Sequence, residues 1–236
     1  MISIKNVSFE PNEKTVLKNI SLNIEKGKKY LILGPSGSGK TSLLKIINNL
    51  ISPTEGKIFL DNISYDNIKA HNLRKRIGLI MQDPVLFGEY VYENFDLLKS
   101  VSFKNFSKED VIFLLNLFGL NEEFYNKKNN ELSGGEKYRI SIIRTLLNEP
   151  DYILADEPFA SLDRSLMIKI FQILSGYSEQ NGITLIIVSH NYNDIIDFFD
   201  MLIFIFKGNI IFRGNSGEFL TASNKIIKNY LEGKIE

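Results

Sequence analysis

A glycine-rich segment between a short predicted strand (residues 29–33) and a predicted helix (41–49) constrains the fold of this chain more than any other feature. The segment consists of Gly34, Pro35, Ser36, Gly37, Ser38, Gly39, Lys40 and Thr41, and Ser42 follows it. It fits the pattern GxxxxGK[ST], whose glycines let backbone N–H groups curl around phosphate oxygens. We predict that Lys40 adds a positive charge at the β- and γ-phosphates and that Thr41 offers a hydroxyl to Mg²⁺, with the helix start facing the same anion. The alternative is a glycine-rich turn with an incidental lysine.

An acidic pair follows a second buried strand. Residues 152–155 are apolar and lead into Asp156 and Glu157. Ligands of α/β folds bind at the carboxyl ends of strands, which is where this pair is expected. We predict that Asp156 holds Mg²⁺ through water and that Glu157 polarises the attacking water as a general base. Without the phosphate loop, an ordinary exposed acidic turn would explain the pair equally well.

The order of the predicted elements indicates an α/β fold. Short alternating strands occupy the first 24 residues, and strands separated by helical segments follow the phosphate loop. Such alternation is typical of a core with a mainly parallel sheet. Between about residues 87 and 149 the apolar residues recur at helical spacing, as in Val111, Leu114, Leu115 and Phe118. The sequence therefore predicts one nucleotide-binding domain, 1–236, with an inserted helical subdomain at approximately 87–149.

Composition excludes several classes of protein. The 236 residues have a formal net charge of zero, which argues against a chain that grips nucleic acid mainly through phosphates, and no nucleic-acid partner is expected. There is no cysteine, so a disulfide scaffold and a thiolate metal site are excluded. The N-terminus lacks the pattern of a signal peptide, and the longest apolar run, 201–206, is far short of the ~20 residues that span a bilayer. A cytoplasmic location is expected.

Four further motifs complete a recognisable series. Leu132-Ser133-Gly134-Gly135-Glu136 resembles the LSGGQ signature of the ABC (ATP-binding cassette) ATPases. Gln82 resembles the Q-loop glutamine of that family, Ser161-Leu162-Asp163 resembles its D-loop, and His190 resembles its switch histidine. The motifs occur in family order, and the resemblance covers essentially the whole chain.

The resemblance implies a P-loop NTPase (RecA-like) core with an N-terminal antiparallel β subdomain and an inserted α-helical subdomain. It implies that two such domains, expected to be a homodimer, pair head to tail and enclose two ATP molecules with Mg²⁺. Each ATP then lies between the phosphate loop of one subunit and the signature and D-loop of the other. Residues expected to contact nucleotide in this arrangement are Ser133, Gly134, Gly135, Glu136 and Asp163.

Three of the motif residues have alternative explanations. Ser133 could cap the helix that follows it, a role compatible with contacting the partner's nucleotide. Gln82, which the resemblance places near Mg²⁺ and the attacking water, could be an ordinary turn residue. His190 is expected to contact the γ-phosphate and to hold Glu157 and the water in place, but a lone histidine after a strand is often only a surface residue. His71 has no motif around it and is expected to be incidental.

The expected partner is a separate integral membrane permease on the cytoplasmic face of the membrane. Residues 83–95 are the candidate transmission surface, and their aromatic side chains, Phe87, Tyr90, Tyr92 and Phe95, are either exposed for that purpose or packed inside the helical subdomain. The runs 50–54, 86–94 and 132–144 resemble the FetA/YbbL-type bacterial ATPases of metal export, whereas 155–158 is closer to those of lipoprotein release and peptide export. Alternative functions are an ATPase that drives a membrane complex without cargo, as in cell division, and an ATPase of DNA repair or translation.

The sequence departs from the family pattern at three places. The position where an aromatic residue usually stacks on adenine holds Glu10 or Pro11, and Phe9 is expected in the core, so purine selectivity is predicted to be weak. Glu136 replaces the usual glutamine of the signature. The phosphate loop ends in Thr41-Ser42 rather than the commoner Ser-Thr, which keeps both hydroxyls.

Overall fold

The computed structural model describes residues 1–102, 105–159, 162–190 and 192–235. Ten strands lie in this part of the chain: β1 (Ile2–Phe9), β2 (Leu17–Ile24), β3 (Lys29–Leu33), β4 (Glu55–Leu60), β5 (Ile63–Ser64), β6 (Ile77–Ile80), β7 (Tyr152–Asp156), β8 (Thr184–Val188), β9 (Met201–Phe206) and β10 (Asn209–Gly214). Eight α-helices lie there too: α1 (Lys40–Ile47), α2 (Ala70–Arg76), α3 (Val91–Ser102), α4 (Lys108–Leu117), α5 (Gly134–Leu147), α6 (Arg164–Gln180), α7 (Ser216–Leu220) and α8 (Lys225–Leu231).

The strands form two sheets. A four-stranded antiparallel sheet has the order β2-β1-β4-β5, and a six-stranded sheet has the order β10-β9-β3-β8-β7-β6. In the larger sheet β9, β3, β8, β7 and β6 are parallel, and only the edge strand β10 is antiparallel. The register pairs Ile32 with Val188, Asp156 with Val188, and Ile80 with Ala155. The carboxyl ends of β3, β8, β7 and β6 therefore meet at one edge of the sheet.

Alternate residues of the parallel strands enter two separate apolar cores. Leu31, Ile153 and Leu185 face a core shared with the helices of the inserted segment, whereas Ile32, Leu154 and Ile186 face a core shared with α1 and the antiparallel sheet. Burial on both faces explains why these strands read as continuous apolar runs. The predicted fold class, a P-loop core with an N-terminal antiparallel sheet and inserted helices, is confirmed.

Three helices occupy the connection between β6 and β7. Two of them, α4 and α5, begin with a capping box, in which Ser107 pairs with Asp110 and Ser133 pairs with Glu136. Each box satisfies N–H groups that the first helical turn leaves free. The predicted limits of this segment as a subdomain, 87–149, stay a prediction. None of the helices in the described ranges combines the length and the apolar character needed to cross a bilayer.

The aromatic residues near the start of α3 do not share one environment. Phe95 is fully buried and lies one helical turn after the buried Val91, so of the two alternatives the packed one holds for this residue. Phe87 is 46% exposed, beside the guanidinium of Arg144. Tyr92 is half-buried, with its ring stacked between the rings of Tyr90 and Tyr125. Only Phe87 is therefore well exposed among the four aromatic residues of this stretch.

Candidate functional site

The carboxyl edge of the parallel sheet carries a cleft of about 570 Å³. Most of the residues predicted to bind or hydrolyse a nucleotide line it: Ser36, Gly37, Ser38, Gly39, Lys40, Thr41, Ser42, Gln82, Asp156, Glu157 and His190. They come from the loops after β3, β6, β7 and β8, which the parallel register brings to one edge. Gathering of groups from several strand ends is the usual construction of a ligand site in an α/β fold.

The phosphate loop holds its lysine internally. Lys40 is only 7% exposed, and its Nζ donates to the backbone oxygens of Gly34 at 2.7 Å and Pro35 at 2.9 Å. Burial lowers the pKa of Lys40, and the charges of Glu157 and Asp156 oppose that shift. Gly34 and Pro35 do not line the cleft; their carbonyl groups position the ammonium instead. The cation is thus poised at the floor of the site.

Two glycines of the loop are required by their surroundings. Gly34 has φ +146°, and an added Cβ would lie 2.1 Å from the backbone oxygen of Ile205. Gly39 immediately precedes α1 with φ +108°, and its Cβ would lie 2.6 Å from Leu17 Cδ2 and 2.9 Å from the backbone oxygen of Val16. The loop therefore packs directly against β2 and β9, which fixes its curvature.

Asp156 offers an unpaired oxygen to the cleft. The residue is 8% exposed, and its buried Oδ1 has no hydrogen-bond partner among the described residues. Thr41 and Gln82 line a smaller cavity with Asp156. A buried carboxylate oxygen without a partner costs the free protein stability. The site is therefore suited to a ligand that provides a partner for this oxygen.

Glu157 and His190 form a contact pair. Glu157 adopts a left-handed backbone conformation, φ +48°, and its N–H donates to Val188 O at 3.0 Å. The carboxylate accepts the backbone N–H of His190 at Oε2, 3.0 Å, while Oε1 lies 3.0 Å from His190 Nε2. Strained backbone of this kind persists where the surroundings impose it and is concentrated at functional sites.

Burial shifts the pKa of both members of this pair. Burial raises the pKa of Glu157, Asp156 acts in the same direction, and the His190 N–H and Lys40 oppose the shift. Burial and the charge of Lys40 lower the pKa of His190, against the effect of Asp156. In both residues, therefore, burial favours the uncharged form.

The signature residues lie outside the cleft. Ser133 is exposed and caps α5: Ser133 Oγ accepts the N–H of Glu136 at 3.3 Å, and Glu136 Oε2 accepts the N–H of Ser133 at 2.7 Å. Burial alone would raise the pKa of Glu136, but hydrogen bonds from Ser133 and the charge of Lys127 lower it. The carboxylate that replaces the usual glutamine therefore serves the capping box through Oε2 and the ion pair with Lys127 through Oε1.

The D-loop touches the start of the signature helix. A Cβ added to Gly135 would lie 2.6 Å from Leu162 Cδ2, so Gly135 and Leu162 pack closely. Asp163 caps α6 by accepting the N–H of Leu166 at 2.9 Å and is exposed. Gly134 is also exposed. Ser161, the first residue of the predicted D-loop, lies outside the described residues.

Two groups of cleft-associated residues were missed by sequence reasoning. Lys14, Thr15 and Val16 line the cleft although they belong to the turn before β2. The ring of Tyr230, in α8, stacks on that of Tyr192, two residues after the switch histidine, at 5.9 Å. Both contacts depend on chain segments brought together by the fold, and no local pattern marks them.

Comparison with known proteins agrees with this geometry. The family model of the ABC transporter matches residues 17–160. The ATP-binding protein MJ0796 of Methanocaldococcus jannaschii is 36% identical over 89% of this chain and 95% of its own length. The probable iron export ATP-binding protein FetA of Escherichia coli is 34% identical over 83% and 87%, and the methionine import protein MetN of Haemophilus influenzae is 34% identical over 92% and 66%.

A solved structure of MJ0796 extends the likeness to three dimensions. It is a dimer in a post-hydrolysis state with ADP and Pi, and it matches with a TM-score of 0.81 over 91% of this chain and 98% of that chain. The family model spans β3, β6 and β7, which carry the phosphate loop, Gln82 and the Asp156-Glu157 pair. The chain thus belongs to the ABC transporter family and is an ATP-binding, ATP-hydrolysing subunit of that family.

Proposed function

We propose that two copies of this chain enclose two molecules of ATP with Mg²⁺ and that hydrolysis drives a separate membrane permease. The observation that carries the proposal is the convergence of Lys40, Asp156, Glu157 and His190 on one cleft at the end of a parallel sheet. Phosphoryl transfer to water needs a cation for the phosphates, a carboxylate oxygen for the metal ion and a positioned base for the water. Lys40, Asp156 and Glu157 with its neighbour His190 are groups of these kinds.

Phosphate binding falls to the loop before α1. Residues 36–41 line the cleft, so the glycine-rich backbone can offer N–H groups to phosphate oxygens, and the helix start adds its positive end. Lys40 exchanges its bonds to Gly34 O and Pro35 O for phosphate oxygens, which are stronger acceptors because they are charged. The lysine needs no change of position larger than a side-chain rotation.

The residues around Asp156 fit Mg²⁺. Its unpaired Oδ1, the hydroxyl of Thr41 and the amide oxygen of Gln82 are hard oxygen donors, which this ion prefers. The described residues contain no cluster of three or more His, Cys, Asp or Glu that could hold a metal alone, which agrees with an ion shared between protein and phosphates. When bound, Mg²⁺ neutralises charge on the phosphate oxygens.

Glu157 is the proposed general base. Its raised pKa makes it a better proton acceptor than an exposed glutamate. The backbone N–H of His190 holds Oε2 of the carboxylate, and the imidazole lies against Oε1, with 3.0 Å between that oxygen and Nε2. His190 is thus placed to orient Glu157 toward the water and to reach the terminal phosphate with its exposed ring edge.

The exposed signature explains the need for a second copy. Ser133, Gly134 and Asp163 are exposed, and none of them lines the cleft of its own chain. In a head-to-tail dimer, the start of α5 would present its hydroxyl and N–H groups to the nucleotide of the partner. The dimer of the relative MJ0796 with ADP and Pi supports this arrangement.

The proposed permease contact lies beside the inserted helices. A groove here contains Arg74, Arg144, Phe87, Leu97 and Val101, of which the three apolar residues are 46%, 39% and 59% exposed. Exposed apolar side chains flanked by cations are typical of a protein interface. A contact there places the chain on the cytoplasmic face of the membrane.

The cargo does not follow from the cleft. Relatives named for iron export and for methionine import are equally identical to this chain, at 34%. The earlier likeness of three short runs to the FetA/YbbL-type ATPases therefore does not by itself select a substrate. Among the described residues of the inserted segment the longest helix is α5, with 14 residues, which is much shorter than the long coiled coil typical of DNA-repair ATPases of this family.

The test uses the base and the signature together. Glu157→Gln should bind ATP, fail to hydrolyse it and elute as a dimer in light scattering, because closure survives without water activation. Adding Ser133→Arg to that variant should leave ATP binding intact and return the protein to monomers. Normal turnover by Glu157→Gln would contradict the base assignment, and loss of monomer binding with Ser133→Arg would contradict a role in trans.

A further inference from the structure

The cleft has a catalytic end and an opposite end. Strands β8, β7 and β6, which carry His190, Glu157 and Gln82, lie on one side of β3 in the sheet, and β9 and β10 lie on the other. The turn between β9 and β10 contacts the phosphate loop, because Gly208 N–H donates to Ser38 O at 3.1 Å. The loop holds the phosphates, with the terminal phosphate at Glu157. The nucleoside is therefore directed toward the β9 and β10 side of β3.

Residues 14–16 form that opposite end. Gly208 O accepts the N–H of Lys18 at 2.8 Å, and a Cβ on either Gly208 or Gly39 would meet the backbone oxygen of Val16, at 2.6 and 2.9 Å. Lys14, Thr15 and Val16 are the residues of this strand entry that line the cleft. We call these three residues the nucleoside end.

The side chains of the nucleoside end offer little means of telling bases apart. The Thr15 hydroxyl donates to Glu10 Oε1 at 2.6 Å, so its proton is already used. Val16 is aliphatic and packs partly on the N-terminal core, and Lys14 is an exposed, flexible cation. Phe9 also packs on that core, and among the described residues no phenylalanine, tyrosine or tryptophan lines the cleft.

Base discrimination needs a stacked ring or hydrogen bonds to a base edge. Stacking on an aromatic side chain is worth roughly 1–3 kcal/mol per base, a factor of about 5 to 150 in affinity, and edge contacts supply the rest. A lone ammonium can donate a hydrogen bond to N7, to O2 or to another acceptor, and every base presents at least one such atom. A cation and an aliphatic side chain therefore bind all four bases in a similar way.

We propose that this cleft takes nucleoside triphosphates with little regard to the base, with Lys14 as a shared contact, so that GTP, CTP and UTP are substrates beside ATP. This inference rests on the proposed function of the cleft. Affinity comes from the triphosphate, which the loop and Lys40 hold, and the base adds a small and similar amount in each case.

The first experiment measures binding without turnover. A ribose-labelled fluorescent ATP bound to the Glu157→Gln protein is displaced by ATP, GTP, CTP or UTP, each with Mg²⁺. We expect the four dissociation constants to fall within about tenfold of each other. An ATP constant more than about a hundredfold below the other three would overturn the inference while leaving the proposed function intact. Failure of all four nucleotides to bind would instead refute the proposed function.

Variants of Lys14 locate the effect. Lys14→Ala should weaken all four nucleotides alike, by about two- to fivefold, the range of an exposed charge contact. Lys14→Tyr should favour purines over pyrimidines by several-fold, since larger bases stack better on a ring. Lys18→Ala is the matched control, because Lys18 is an exposed lysine on the same strand that does not line the cleft, and it should change nothing.

These variants can each contradict the assignment. An unchanged set of dissociation constants in Lys14→Ala, or a loss confined to ATP, would show that Lys14 is not a contact shared by all bases. If Lys14→Ala and Lys18→Ala changed the dissociation constants equally, Lys14 would act only through general electrostatic attraction and not through a contact with the base. Wild-type hydrolysis rates with the four nucleotides give a second readout, and they should follow the same order as the binding constants.

Discussion

Replacing Gly39 by alanine tests how tightly the phosphate loop is fitted to β2. The backbone at this residue has φ +108°, a conformation that costs an alanine about 1–3 kcal/mol. The added Cβ would also lie 2.6 Å from Leu17 Cδ2, in a side chain that is fully buried, and 2.9 Å from Val16 O. Overpacking of this kind costs a further 1–3 kcal/mol or so. We expect Gly39→Ala to lower the free energy of unfolding by roughly 2–6 kcal/mol.

Gly37→Ala is the matched control in the same loop. Gly37 also has a left-handed conformation, φ +71°, but a Cβ there would meet nothing within 4 Å. Its substitution should cost only about 1–2 kcal/mol, the penalty of the backbone conformation. Urea unfolding followed by circular dichroism gives both values, and displacement of a fluorescent nucleotide shows whether the loop still binds phosphate. Equal destabilisation by the two variants would refute the claim that contact with Leu17 and Val16 shapes the loop.

Three other changes have defined outcomes. Lys40→Ala removes a charged donor to the phosphates and should weaken ATP binding by about tenfold or more, as measured by fluorescent nucleotide displacement; unchanged affinity would contradict the phosphate-loop assignment. Because the folded chain holds a proton on Glu157 more tightly than the unfolded chain, ionisation costs stability as pH rises above the ordinary value of 4.5. Glu157→Gln should therefore melt at a higher temperature than wild type at pH 7.5, with the advantage shrinking toward pH 4.5, and a lower melting temperature at pH 7.5 would argue against the raised pKa. Glu136→Gln keeps an oxygen for the N–H of Ser133 and loses the ion pair with Lys127, so melting and ATPase assays should show less than about 1 kcal/mol of destabilisation and retained activity.

The parts of the site that sequence predicts are those fixed by local chemistry. A run of glycines ending in Lys40 and Thr41 has few backbone solutions, and a strand that ends in Asp156-Glu157 must present them at the sheet edge. The alternation of apolar strands and helices likewise predicts a parallel sheet, and the structure has one. In these cases the residue types and their spacing are sufficient to predict the local structure.

Other features depend on contacts between distant segments. The position of β8 between β3 and β7 follows from how helices pack on both faces, which no single motif encodes. The same holds for Tyr230 of the last helix, which stacks on Tyr192, and for Lys14, which lines the cleft from an N-terminal turn. Phe95 is a different case, because its spacing of four residues from Val91 indicates a buried helix face, in agreement with the alternative that it packs inside the helical subdomain.

The most direct test of the central claim is complementation between two inactive variants. Lys40→Ala destroys the phosphate loop and keeps the signature, whereas Ser133→Arg destroys the signature and keeps the loop. Each alone should lack ATPase activity. An equal mixture should recover up to about a quarter of wild-type activity, because half of the dimers are mixed and each mixed dimer has one intact site out of two. A mixture as inactive as its components, or full activity of Ser133→Arg by itself, would contradict a site completed by a second copy of the chain.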